Sequence, residues 1–311
     1  MKILVTGGLG FIGSHLIDEL AKERHSIVVI TRSLSKKHNL KKSIKNIKIE
    51  KFDITNFKKL EKCLKEFKPN IIIHLAGQTS HSKSFLNPLD DINSDVKSTL
   101  FLLEKLRQMN FKGRFILGST FIVIGKPKKL PINEDTPCWP TTIYGANKFL
   151  CENYCNIYHH VYGLDTLIFR ITNSFGPREQ IIPTKNAINY LIDLASQGKE
   201  ITIYDKGKMF RDLIYISDVI NGILIIMKKG KPGNTYWISS GKKTWFYQLG
   251  KWLEELTASK VKNVNSPKYT KKVDVGNFVV NNSKLKALGW TTEVSVKDGI
   301  KKTLDYFNKL N

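Results

Sequence analysis

The sequence predicts an α/β fold: a Rossmann-type, doubly wound parallel sheet with a smaller C-terminal substrate-binding lobe. In the first half of the 311-residue chain, short segments rich in Ile, Val and Leu alternate with helical patterns. The first of these segments runs directly into a glycine-rich turn, and a helical pattern follows at once. After residue 178 the segments become shorter and contain more Lys and Asn. Strand–helix–strand repeats of this kind fold as parallel sheets with right-handed crossovers.

Buried strands are predicted at residues 2–6, 26–31, 46–50, 70–75, 114–118 and 164–170. Helices are predicted at residues 11–23, 56–67, 95–109 and 142–162. Gly163 is expected to end the last helix. We expect residues 1–179 to form the sheet domain and residues 180–311 to form most of the second lobe, with part of 212–240 a candidate to return to the sheet. In such folds a ligand lies in the cleft at the carboxyl ends of the strands.

The composition excludes several classes of protein. The hydrophobic fraction is 41%, and no apolar run reaches the roughly eighteen residues that a membrane span needs. The net charge is +23, but the lysines are scattered and no nucleic-acid-binding motif is present, so we interpret them as a solvated surface. The cysteines show neither a C-x-x-C pair nor a metal-ligand spacing. We therefore expect a cytoplasmic protein with no metal site, binding neither nucleic acid nor membrane.

The glycine-rich turn predicts a dinucleotide-binding site. Gly7, Gly10 and Gly13 have the spacing G-x-x-G-x-x-G between the first strand and the first helix. Because glycine lacks a Cβ atom, this backbone can turn tightly and approach a pyrophosphate at the helix N-terminus. Phe11 and Ile12 open the helix and belong to the same predicted contact.

The end of the second strand indicates which dinucleotide binds. An NAD site usually has Asp or Glu there to hold the ribose 2′-hydroxyl. This chain has Arg32 instead, with Lys36 and Lys37 close by. A guanidinium favours a 2′-phosphate, so NADP is predicted in preference to NAD. The alternative is that Arg32 is merely exposed, or stacks on adenine, while NAD is bound.

The fourth strand ends in small residues that would allow a nicotinamide ribose to lie against the backbone. Leu75, Ala76 and Gly77 form this segment and are predicted cofactor contacts. The preceding His74 is interpreted as a half-buried residue of the sheet.

Tyr144 and Lys148 predict proton and hydride transfer. They form a Tyr-x-x-x-Lys pattern on the predicted helix 142–162, so both side chains lie on one face. The lysine charge favours the phenolate and would lower the tyrosine pKa from about 10 toward working pH, while the ammonium can also hold the ribose hydroxyls. A hydroxyl of Ser119 or Thr120, at the end of the fifth strand, can hydrogen-bond a substrate oxygen. This arrangement is typical of oxidation or reduction at a hydroxyl or carbonyl.

With these residues in place, the chain resembles the extended short-chain dehydrogenase/reductases, a group of nucleotide-sugar epimerases, dehydratases and 4-keto reductases. The similar segments are Thr6–Gly13, Asp53, His74–Gly77, Ser119–Thr120, Tyr144–Lys148, Phe175–Arg178, Arg211–Asp218 and Leu288–Trp290. The resemblance covers essentially the whole chain and includes the UDP-glucose 4-epimerases.

The resemblance implies roles for further residues. Asp53, with Ile54 beside it, would contact adenine, and Thr120 would assist the tyrosine. Asn173 and Arg211 would hold the diphosphate of a nucleotide-diphosphate sugar, and Arg178 is a further expected substrate contact. For Arg211 the alternative is a surface ion pair with Asp212. The resemblance also implies a homodimer formed through the helices at 95–109 and 142–162.

Departures from the family pattern bear on the reaction. Dehydratases carry an acidic residue directly after the strand-end threonine, but this chain has Phe121 and Ile122 there, so 4,6-dehydration is disfavoured. Asp95 stands where an asparagine is common. The family's Val-Tyr-Gly is Val123-Ile124-Gly125, and Gly276 or Asn277 replaces a C-terminal arginine.

Two enzymatic hypotheses remain, with the first preferred. The first is an epimerase acting at sugar C4 through a transient 4-keto intermediate, which needs only Thr120, Tyr144 and Lys148. The second is NADPH-dependent reduction of a 4-keto-6-deoxy sugar nucleotide. Arg32 favours the second hypothesis, and the segment after the fourth strand resembles both GDP-4-keto-6-deoxymannose reductases and CDP-tyvelose epimerases. A non-catalytic NADP-binding scaffold is a lesser alternative.

Overall fold

The computed structural model describes residues 1–40, 47–78, 81–182, 186–266 and 274–309. The strands are β1 (Lys2–Thr6), β2 (Ser26–Thr31), β3 (Ile47–Lys51), β4 (Ile71–His74), β5 (Arg114–Thr120), β6 (Asp165–Ile171), β7 (Asn173–Phe175), β8 (Ile201–Tyr204), β9 (Phe210–Arg211), β10 (Leu213–Tyr215), β11 (Thr235–Ile238), β12 (Thr244–Trp245) and β13 (Val261–Val264).

The α-helices are α1 (Phe11–Leu20), α2 (Phe57–Phe67), α3 (His81–Leu86), α4 (Pro88–Asp91), α5 (Ser98–Gln108), α6 (Ile143–Tyr162), α7 (Ala187–Ser196), α8 (Ile216–Lys229), α9 (Phe246–Leu256), α10 (Ser283–Lys286) and α11 (Val296–Asn308). A π-helical turn, Ile92–Lys97, joins α4 to α5. Short 3-10 helices lie at Lys37–Asn39, Phe121–Ile124 and Asp205–Gly207.

A seven-stranded sheet with the order β11-β6-β5-β4-β1-β2-β3 forms the centre of the molecule. Every neighbouring pair of strands in it is parallel. β1 lies between β2 and β4, so the strand order reverses at β1 and a crevice opens at its carboxyl end. This confirms the predicted Rossmann-type sheet. It also places the glycine turn and the end of β4 side by side.

Alternating residues of the strands face two separate helical layers. Ile3 and Val5 pack with α1 and α8 on one face, whereas Leu4 packs with α2, α5 and α6 on the other. Both faces of the sheet are therefore covered, which explains why the strands read as continuous apolar runs.

The predicted boundaries hold with small shifts. β5 continues to Thr120 rather than 118, and α1 ends at Leu20 rather than 23. α6 begins after Thr142, whose hydroxyl accepts a hydrogen bond from the Gly145 amide at 3.0 Å, and ends at Gly163 with φ of 68°. The helix expected at 95–109 instead starts with the π-helical turn. Residue 46 of the predicted third strand lies outside the described residues.

After residue 212 the chain returns to the sheet, because β11 pairs with β6. Asp212, fully buried, anchors this return by accepting hydrogen bonds from the Ser240 amide and hydroxyl and from the amides of Gly241 and Val280. Burial raises its pKa to about 6, although these hydrogen bonds oppose the shift. The smaller two-stranded sheets pair β7 with β10, β9 with β12 and β8 with β13.

None of the helices within the described ranges is both long enough and apolar enough to cross a bilayer. The four cysteines, all within the described residues, are free thiols.

Candidate active site

The glycine turn brings β1, α1 and β4 into close approach. Gly7 has φ of 71°, and a Cβ atom there would lie 2.9 Å from the Ala76 amide nitrogen. A Cβ atom on Gly13 would lie 2.5 Å from the Gly7 carbonyl oxygen. Gly10 is the N-cap of α1, and no side chain caps the helix there. Backbone N–H groups at the start of α1 are thus available to a pyrophosphate, and the turn fits a dinucleotide.

The adenine end of the predicted dinucleotide site lies at β2 and β3, which are neighbours in the sheet. Arg32 follows β2 directly and its side chain is exposed. Asp53 lies just beyond β3, where one carboxylate oxygen accepts hydrogen bonds from the Thr55 amide at 3.0 Å and hydroxyl at 2.8 Å. Ile54 is buried beside it. The structure therefore groups these three predicted residues at one edge of the crevice.

Thr6 holds the backbone of Leu75 and Ala76, which follow β4, in place by hydrogen bonds. The Thr6 hydroxyl accepts hydrogen bonds from both of their amides at 3.1 Å, so its own proton is directed to His74 Nδ1 at 2.7 Å. His74 is fully buried rather than half-buried, and burial together with the Lys148 charge lowers its pKa to about 3. It is therefore a neutral structural residue.

Thr120, Tyr144 and Lys148 come together as predicted at the end of β5 and the first turns of α6. The Thr120 hydroxyl is close enough to the Tyr144 hydroxyl to favour its ionised form, and both side chains are buried. Burial raises the pKa of Tyr144, and Lys148 and Thr120 oppose that rise. The net shift is upward, so the lowering of the tyrosine pKa toward working pH that the sequence predicted is not found in the structure, and proton exchange with a substrate oxygen stays a prediction.

Asp95 forms a buried ion pair with Lys148, an interaction that sequence reasoning missed. Lys148 Nζ lies 2.8 Å from Asp95 Oδ1. Burial alone would lower the pKa of Lys148, but the carboxylate outweighs it and the pKa is raised. Conversely, burial raises the pKa of Asp95 although Lys148 lowers it. Only the departure of residue 95 from the family pattern signalled this position.

The Ser119 hydroxyl interacts with Glu152 rather than with Tyr144. It donates to Glu152 at 2.5 Å, and Glu152 forms a buried ion pair with Arg170 at 2.7 Å. Thr120 is therefore the hydroxyl that faces the tyrosine. The spacing of residues 144, 148 and 152, four apart along one helix, could have placed Glu152 near the site, but not identified its partners Ser119 and Arg170.

The predicted substrate contacts are held mainly by protein carboxylates. Arg178, with φ of 69°, donates to Asp18 of α1 at 2.6 Å. Arg211 is buried, donates to the Gly276 carbonyl, and pairs with Asp274 at 2.6 Å rather than with its neighbour Asp212. Burial lowers the Arg211 pKa despite Asp274.

Asn173 begins β7, and its side-chain oxygen is buried with no hydrogen-bond partner among the described residues. Such an atom is available to a ligand donor. The roles of Asn173, Arg178 and Arg211 toward a substrate stay predictions.

This fold, with a tyrosine and lysine on one helix face beside a glycine turn, defines the class of short-chain dehydrogenase/reductases. Residues 4–303 match the model of the GDP-mannose 4,6-dehydratase family. Among proteins of known function, the Mycolicibacterium smegmatis UDP-glucose 4-epimerase is 29% identical over 313 residues, covering 99% of this chain and 98% of the relative. Human dTDP-D-glucose 4,6-dehydratase is 28% identical, covering 99% and 90% respectively.

Solved structures give the same result. The Thermotoga maritima UDP-glucose 4-epimerase with UDP-glucose is 30% identical, with a TM-score of 0.91 over 100% of this chain and 99% of the other. The Thermus thermophilus UDP-glucose 4-epimerase in complex with NAD is 26% identical, with a TM-score of 0.88 over 99% of both chains. The protein belongs to the extended short-chain dehydrogenase/reductase family of nucleotide-sugar epimerases and dehydratases.

Proposed function

We propose that the protein is an epimerase that inverts C4 of the sugar in a nucleotide-diphosphate sugar through a transient 4-keto intermediate. The observation that carries this proposal is the buried group of Thr120 at the end of β5 and Tyr144 and Lys148 on successive turns of α6. Epimerisation at C4 needs one group to remove and return a proton, and this set supplies it. Relatives that are UDP-glucose 4-epimerases support the same reaction.

In the proposed reaction, Tyr144 takes the proton of the 4-hydroxyl and later returns it to the same oxygen. Thr120 holds that oxygen by a hydrogen bond. Lys148 favours the phenolate by its charge. A bound nicotinamide dinucleotide supplies the acceptor and donor of the C4 hydride, and the glycine turn with Leu75, Ala76 and Gly77 would hold it.

Dehydration is disfavoured by the residues that follow Thr120. The Phe121 ring packs edge-on against Phe278 with centroids 5.0 Å apart, and Ile122 is buried. Neither side chain can act as an acid or base, so loss of water across C5–C6 would lack its proton-transfer group. Dehydratases occur among the relatives, so a 4-keto-6-deoxy product is the outcome that would contradict this expectation.

The second candidate is reduction of a 4-keto-6-deoxy sugar nucleotide by NADPH. It is favoured by Arg32, which stands exposed at the end of β2 where an NAD site would usually have a carboxylate. NAD is the cofactor in the Thermus thermophilus complex, so the preference for NADP is a prediction for this chain.

The test is a panel of UDP-, GDP-, CDP- and dTDP-sugars, with products separated and identified by chromatography and NMR. An epimerase should interconvert two C4 epimers without net consumption of added cofactor. Stoichiometric oxidation of NADPH with a 4-keto sugar would overturn the proposal in favour of the reductase. Formation of a 4-keto-6-deoxy product from a hexose would show a dehydratase.

Arg32→Asp tests cofactor choice. We expect this change to weaken NADP binding by about 30-fold or more, because a charge-assisted phosphate contact is worth roughly 2 kcal/mol, and to weaken NAD much less. Binding is measured by titration calorimetry with each dinucleotide. Arg24→Asp, which makes the same change at an exposed position before β2, at the opposite end of that strand, is the control. Equal losses for NAD and NADP would show that Arg32 does not contact a 2′-phosphate.

We also propose a homodimer through α6. Leu150, Ile157 and Val161 are exposed and follow one another at seven- and four-residue intervals, which places them along one face of that helix. The molar mass from light scattering tests this proposal, and a strictly monomeric protein would contradict it.

A further inference from the structure

The Asp95 carboxylate is clamped between Lys148 and the loop that follows β4. Its Oδ1 lies 2.8 Å from Lys148 Nζ, and its Oδ2 accepts a hydrogen bond from the Gln78 amide at 3.0 Å. The side chain has 0% exposure. Gly77 allows this approach, since a Cβ atom there would collide with the carboxylate. Asp95 is also carried on the π-helical turn, a distortion that often marks functional positions.

This ion pair changes the charge that the tyrosine experiences. With Asp95 and Lys148 ionised, the three side chains carry no net charge while Tyr144 holds its proton. Loss of that proton then leaves one uncompensated negative charge in a buried site, which is costly. With an amide at position 95, loss of the proton would instead neutralise a net positive charge.

Among the side chains that the structure describes, the other titratable groups around the pair do not replace this effect. They are His74 on β4, Asp91 on α4 and Cys151 on α6. His74 is neutral, as described above, and burial raises the pKa of Cys151 to about 11, so its thiol is neutral as well. Asp91 accepts a hydrogen bond from Asn147 at 3.2 Å. Its negative charge acts in the same direction as that of Asp95.

We propose that Asp95 is a positioning residue that binds the Lys148 ammonium and thereby restrains ionisation of the Tyr144 phenol. The inference deepens the proposed function and rests on it, because it assigns the pH range in which the proton-transfer group works. The enzyme should accordingly be most active on the alkaline side of neutrality.

Asp95→Asn tests the proposal, since the amide keeps the shape and removes the charge. We expect the acidic limb of the pH–turnover profile to move to lower pH, raising turnover below the wild-type inflection by about threefold to tenfold. A second readout is tyrosinate absorbance during a pH titration, taken as the difference from the corresponding Tyr144→Phe protein. That titration should show the phenol ionising at lower pH in Asp95→Asn, whether or not a substrate is known.

Asp91→Asn is the matched control, because it neutralises a second buried carboxylate whose partner is Asn147 rather than Lys148. The pH at which Tyr144 ionises should shift clearly less in Asp91→Asn than in Asp95→Asn. If the pH at which Tyr144 ionises shifts equally in the two variants, any buried negative charge near the tyrosine has the same effect. That result would overturn the specific role of Asp95. Ionisation at unchanged or higher pH in Asp95→Asn would also overturn the proposal, since Asp95 would then serve to keep Lys148 charged.

Asp95→Ser is the second variant if Asp95→Asn does not fold, because serine removes the charge and leaves space for water. The proposed function and the proposed role of Asp95 can be rejected independently of each other. Absence of turnover with every sugar nucleotide would reject the proposed function, while the tyrosinate titration would still decide the role of Asp95.

Discussion

Lys148 and Arg211 are both buried cations paired with a carboxylate, but their partners lie in different surroundings. The side chain of Asp95 has 0% exposure, whereas that of Asp274 has 27%. Burial lowers the pKa of Arg211 in spite of Asp274, while Asp95 raises the pKa of Lys148 in spite of burial. The lysine is thus held by an interior partner and the arginine by one that water reaches.

The difference indicates which pair can be exchanged for a ligand. Removing one member of a fully buried pair leaves an uncompensated charge, so the Lys148–Asp95 pair is expected to persist through the reaction. A partly exposed pair is worth much less, and Asp274 can be hydrated when it is displaced. We therefore expect the diphosphate of a substrate to take over Arg211, and the following changes test the contrast.

Tyr144→Phe should have the largest effect. The Tyr144 phenol lies beside the buried Lys148–Asp95 pair. Removing its hydroxyl is expected to lower turnover by about 10²- to 10⁴-fold, the usual contribution of a positioned proton-transfer group. Dinucleotide binding should change little, because the ring is retained. Tyr158→Phe is the control, since its hydroxyl, on the same helix, donates to Glu104 at 2.9 Å. Comparable turnover in Tyr144→Phe and the wild type would remove Tyr144 from the mechanism.

Arg211→Met should have an intermediate effect, chiefly on KM. Loss of a charge-assisted contact to a diphosphate is expected to raise KM for the sugar nucleotide by about 30- to 100-fold. Steady-state kinetics with the substrate found in the panel measure this. Arg178→Met is the comparison, because Arg178 is paired with Asp18 across 2.6 Å. If KM rises more in Arg178→Met than in Arg211→Met, the predicted diphosphate contact is made by Arg178 instead.

Asp274→Asn should have the smallest effect. Because an exposed or partly exposed pair contributes about 0.2–1 kcal/mol, freeing Arg211 is expected to lower KM by about 1.4-fold to fivefold. Inhibition by free nucleoside diphosphate should strengthen by a similar factor. Weaker binding of both ligands would mean that Asp274 orients the guanidinium for the substrate rather than competing with it.

The conformation of the glycine turn and the pairing of Tyr144 with Lys148 could be predicted from the sequence because their determinants are local. The glycine turn joins a strand to a helix within a few residues, and Tyr144 and Lys148 are one helical turn apart. Regular periodicity likewise located the six predicted strands and four predicted helices, all before residue 172, to within a few residues, but it did not resolve the shorter elements that follow. The π-helical turn before α5 was missed because its distortion leaves no regular repeat in the sequence.

The charge pairs of the site could not be predicted, because each joins residues far apart in the chain. Arg178 and Asp18 are separated by 160 positions, and Arg211 and Asp274 by 63. Which carboxylate meets which cation depends on how β6, α1 and the C-terminal segments pack. Arg178 and Arg211 were recognised as candidates, but their protein partners became visible only in the folded chain.

The contact from Ser119 through Glu152 to Arg170 has a consequence for the stiffness of the catalytic helix. Glu152 lies two turns beyond Tyr144 on the same face of α6, and it contacts Ser119 of β5 and Arg170 of β6. Rotation of α6 about its axis would therefore have to break both contacts. These contacts to the sheet therefore fix the orientation of the helix that carries the Tyr144 phenol.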